Sequence, residues 1–161
     1  MTDTKLTLKN LEILRAHLAT KDWDKCTLTM NKFGGIEHLH LKEGVHNCGT
    51  SACMVGYAPE VIPVKPNDFI RYSLEDVREL SFCYEQYSRR IFPVLERIPI
   101  RHLPIEFVNK MLSIKCKVQH LHRITIHTSL WAVIFEGFHS DFIKDGLDRM
   151  DLVIEYLKTI I

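Results

Sequence analysis

The chain has 161 residues, 46% of them apolar, and balances 21 Lys and Arg against 20 Asp and Glu for a net charge of +1. That composition suits one globular domain over residues 1–161, large enough to bury roughly 70% of its unfolded surface with no metal or disulfide. It argues against a strongly basic nucleic-acid coat and against an acidic disordered tail.

Leu8, Leu11, Leu14 and Leu18 recur at helical spacing and predict a first helix over about 8–20, with Thr7 as its cap. Segments 27–33 and 36–41 alternate as short strands do. A second helix is expected from Thr50, whose hydroxyl would cap the small residues of 51–58 until Pro59 stops it. A third opens at Ser73 and Asp76 and runs through Tyr84 and Tyr87 to Phe92, before Pro93. Pro104 sits where a helix favours proline, so 105–113 is expected to be a fourth.

Between them and the last helix, 114–127 alternates with period two. Ile114, Cys116, Val118, His120, His122, Ile124 and Ile126 fall on one side, and the other side is mostly basic or polar. A strand with one wet, basic face fits this pattern. The closing helix is capped by Ser140, and Ile143, Leu147, Met150, Ile154, Leu157 and Ile161 follow at steps of 4, 3, 4, 3 and 4. Such a stripe docks on a domain core, or forms a homodimer seam through 141–161, although its length is short for a coiled coil. The expected class is α+β, helix-dominant, with about five helices and a small antiparallel sheet.

The opening MTDTKLTLKN holds no apolar core of signal-peptide length, and the longest apolar run, Leu130 to Phe135, is far short of a membrane span. Five cysteines, an odd number spread widely, do not read as a secreted disulfide framework. Cytoplasmic thiols and no membrane association are expected.

No phosphate loop, dinucleotide fingerprint, H-E-x-x-H, C-x-x-C or G-x-S-x-G is present. Nine histidines stand out, including the tripeptides His38-Leu39-His40 and His120-Leu121-His122. On a strand each tripeptide would set two imidazoles on one face, and two such pairs would suffice for zinc. His46, Cys48 and Cys53 form a second candidate set, although the cysteine spacing is not that of a zinc knuckle. The plainer alternative is histidines that are hydrogen-bonded or solvated. Cys53 at a helix start would have a lowered thiol pKa. Nothing places a base such as His46 beside it, so an inert buried thiol is the simpler reading.

From Phe107 to Phe135 there is no Asp or Glu, while Lys110, Lys115, Lys117 and Arg123 fall within that span. Such a segment would meet a phosphate backbone or an acidic protein surface. Otherwise it is a solvated face balanced by the acidic last helix, since 136–158 carries six acids and three bases.

The run Cys48-Gly49-Thr50-Ser51-Ala52-Cys53-Met54-Val55-Gly56-Tyr57-Ala58 resembles the C-G-T-x-x-C-x-x-G-x-A signature of small bacteriophage and prophage proteins of unknown function. In outline the resemblance extends to the first helix, to 91–92, to 130–135 and to the closing helix. The tripeptide at 38–40 and the basic strand fall outside it. It brings no catalytic residue, and Cys48, Gly49, Thr50, Cys53 and Gly56 read as structural, because small residues there let another element approach closely. The resemblance, together with the missing catalytic motifs, leads to the expectation of a non-catalytic phage accessory protein that binds and modulates or inhibits a host protein in the host cytoplasm. Lys115, Lys117 and Arg123, with Tyr84 and Tyr87, are the expected partner-binding residues; Trp131 is a further candidate anchor, and core burial is the plainer reading of all three aromatics. A metal-dependent Cys/His enzyme or sensor with zinc, and a nucleic-acid binder using 110–127, are the alternatives.

Overall fold

The computed structural model describes residues 1–21, 27–28, 51–52, 54–62, 88–114, 125–135 and 143–161. Helix dominates: α1 (Asp3–Thr20), α2 (Ile105–Ser113), α3 (Leu130–Phe135) and α4 (Ile143–Thr159) are joined by 3-10 turns at Met54–Glu60, Leu95–Arg97 and Ile100–His102. A helical turn at 88–91 ends before Pro93, where the third helix was expected to stop. The rest of that helix, the strand over 36–41 and Ser140 lie outside the described residues.

Helix α1 starts five residues earlier than the leucine spacing suggests. Thr2 is the cap, its hydroxyl accepting from the Lys5 amide at 3.3 Å, and Asp3 places an acid in the first turn. Thr7 is therefore not a cap. It is fully buried inside the helix, and its hydroxyl accepts from the Val94 amide at 3.4 Å. Asn10 is buried on the same helix and donates through Nδ2 to the Ile91 carbonyl at 2.8 Å. Leu11, Leu14 and Leu18 are fully buried, each worth about 1.5–3 kcal/mol of apolar burial.

The second helix is corrected. Ser51–Ala52 is extended and pairs in parallel with Thr27–Leu28, and Met54–Glu60 winds as a 3-10 turn straight through Pro59. Inside an α-helix the Pro59 ring would strike the carbonyl four residues back, and Gly56 is a poor helix former; a 3-10 turn is a short alternative. The described residues of 51–58 are therefore strand and 3-10 turn, not the expected α-helix, and Thr50 lies outside the described residues. This two-residue ladder is parallel, and the other strand-like contact among the described residues is a single antiparallel bridge, Pro99 to Ser129. An antiparallel sheet is not found among the described residues.

The expected strand over 114–127 does not reach its end. Residues 125–128 form a turn, closed by the Thr128 amide donating to the Thr125 carbonyl at 3.0 Å. The next residues run alongside 98–101: Leu130 donates to Ile98, Ile100 to Thr128 and Arg101 to Ile126, all at 2.8–2.9 Å. Ser129 then caps α3, its hydroxyl accepting from the Ala132 amide at 3.2 Å.

Helix α4 docks on α1, α2 and α3. With three neighbours its buried arc is broader than the predicted stripe. Met150, Ile154 and Leu157 are buried as expected, and so are Gly146, Arg149, Val153 and Tyr156 from the adjoining row. Ile161 lies beyond the helix end and is exposed. Because Met150, Ile154 and Leu157 are covered within the chain, that stripe is not free to act as a dimer seam. Phe92 stacks on Phe135 at 5.2 Å between ring centroids, in the same continuous core as these helices.

Candidate functional site

Most of the sequence-derived site residues lie outside the described residues. These are Lys115, Lys117, Arg123, Tyr84 and Tyr87; Cys48, Gly49, Thr50 and Cys53; and His38, His40, His46, His120 and His122. Gly56 falls in the Met54–Glu60 turn. Trp131 takes the plainer of its two readings, core burial, and is not a surface anchor. It is buried in α3, its indole N–H donates to the Ser88 hydroxyl, and its ring lies 6.0 Å from that of Phe135. Lys110 is exposed on α2, with Nζ 5.8 Å from the centroid of the Phe107 ring.

Two polar constellations emerge that sequence spacing does not reveal. The first is interior. His17 and Lys21, one turn apart at the end of α1, both reach Glu60 at the end of the first 3-10 turn. His17 Nε2 donates to Glu60 Oε2 at 2.9 Å and Lys21 Nζ donates to the same oxygen at 3.0 Å. The Lys21 side chain is only 5% exposed, and its ammonium sits 4.7 Å above the Tyr57 ring. Glu60 Oε1 is buried without a hydrogen-bond partner. A carboxylate that holds an imidazole by Nε2–H leaves Nδ1 as the basic nitrogen, as in acid–base dyads. Here the same carboxylate oxygen also neutralises a buried ammonium. Catalysis would further need a nucleophile or a bound electrophile in reach, and no such group stands in this cluster among the described residues. Its plain consequence is to fasten α1 to the 3-10 turn.

The second constellation is a surface corner where 98–101 meets 126–130, with α2 leading away from it. The Arg101 amide is tied to the Ile126 carbonyl, and the Arg101 guanidinium donates through Nη1 to His127 Nδ1 at 2.6 Å. Arg101, His102, Lys110 and His127 are exposed. Among the described residues neither Arg101 nor Lys110 has a carboxylate partner, whereas Arg15, Arg89, Arg97, Lys144 and Lys158 each do. Three aliphatic side chains stand in solvent on the corner and on α2: Ile105 at 69% exposure, Ile126 at 49% and Leu112 at 45%. The one sequence signal that points here is the acid-free span from Phe107 to Phe135, which contains Lys110, Leu112, Ile126 and His127.

No group of three or more His, Cys, Asp or Glu side chains that could hold a metal occurs among the described residues. No helix among them is long and apolar enough to cross a membrane. The chain matches no protein-family model, no curated protein and no solved structure.

Proposed function

We propose that this chain is a non-catalytic bacteriophage accessory protein that acts in the host cytoplasm by binding and modulating a host protein. The observation that supports it is the surface corner, where exposed Ile126 is bonded through its carbonyl to Arg101, a cation with no carboxylate partner among the described residues, and exposed Ile105 follows four residues on. An isoleucine in water forgoes burial that a partner would supply, and a rim of one charge sign steers that partner. The phage assignment rests on the signature at 48–58. The interior His17–Glu60–Lys21 cluster is structural in this reading, and so are the signature residues.

Affinity capture from infected host cells, with partners identified by mass spectrometry, tests it. One host protein should co-purify at near-stoichiometric yield and survive a wash at moderate salt. Capture that returns no specific partner overturns the reading, and so does turnover of a substrate by the purified chain.

A further inference from the structure

We draw no further inference here: the strongest candidate, the side-chain cluster of His17, Lys21 and Glu60 where the end of α1 meets the first 3-10 turn, belongs to the interior site already described, and its contacts do no more than fasten those two elements together.

Discussion

Arg15 on α1 grips Asp151 on α4 through two parallel hydrogen bonds, Nε to Oδ1 at 2.8 Å and Nη2 to Oδ2 at 2.9 Å. The hydrogen bond to Asp151 raises the guanidinium pKa above its already high ordinary value, against a smaller opposing effect of burial. A raised cation pKa contributes stability at every pH below the ordinary value and loses it only as pH climbs through the folded one. Arg15 therefore brings no pH dependence across the neutral range. Both side chains remain partly in water, so the pair is worth modestly more than a surface bridge. Arg15→Met and Asp151→Asn should each lower unfolding free energy by about 0.5–1 kcal/mol. The double variant should cost little more than either alone, and 1 M salt should shrink the difference; urea denaturation measures all of these.

Glu60 is a different case, because its partner ammonium is nearly dry. Removing the carboxylate in Glu60→Ala leaves Lys21 buried beside Tyr57 without a counter-charge, and should cost about 2–4 kcal/mol. Lys21→Met keeps the stem packing and removes the charge that needs a partner, so it should cost clearly less. Glu60→Ala combined with Lys21→Met should recover part of the loss. Equal destabilisation by the two single variants would show that the cluster is solvated in solution.

Gly146 tests how closely α4 approaches the first 3-10 turn. A Cβ at this position would lie 2.9 Å from the Met54 Cε and closer still to its sulfur. Replacing glycine by alanine in a helix interior ordinarily gains up to about 1 kcal/mol. Here Met54 is fully buried, so the added methyl must displace a packed side chain, and overpacking of that kind costs about 1–3 kcal/mol. Gly146→Ala should thus lower the thermal midpoint, and Met54→Val in the same chain should restore much of it. A rise in midpoint for Gly146→Ala alone would mean that Met54 swings aside freely.

The non-catalytic reading carries an elemental prediction. Protein purified without chelators should hold less than about 0.2 zinc per chain by mass spectrometry. Near-stoichiometric zinc, lost in a variant lacking His120 and His122 or Cys48 and Cys53, would favour the sensor or enzyme alternative.

What the sequence made legible was local. The stop–start chemistry of Pro104 placed α2 on its observed residues, and the periodicity of Met150, Ile154 and Leu157 found the docking side of α4. What it hid was set by distant partners. Thr7 looks like a cap until Val94 is seen to donate to it, and Met54–Glu60 looks like an α-helix until Pro59 is threaded through a tighter turn. His17 and Glu60 lie 43 residues apart and Arg15 and Asp151 lie 136 apart, so no spacing rule pairs them. Ile126 falls on the apolar side of the alternation over 114–127, and only the packed chain shows that it remains outside.

The pairing of α1 with α4 also has a consequence for biosynthesis. The first helix packs on the 3-10 turn at Met54–Glu60 as well as on α4, and the part of its surface that meets α4 stays uncovered until residues near 157 have left the ribosome. Cotranslational folding should therefore be a late, all-at-once event. Ribosome-stalled chains lacking the last twenty residues should remain open to protease at α1.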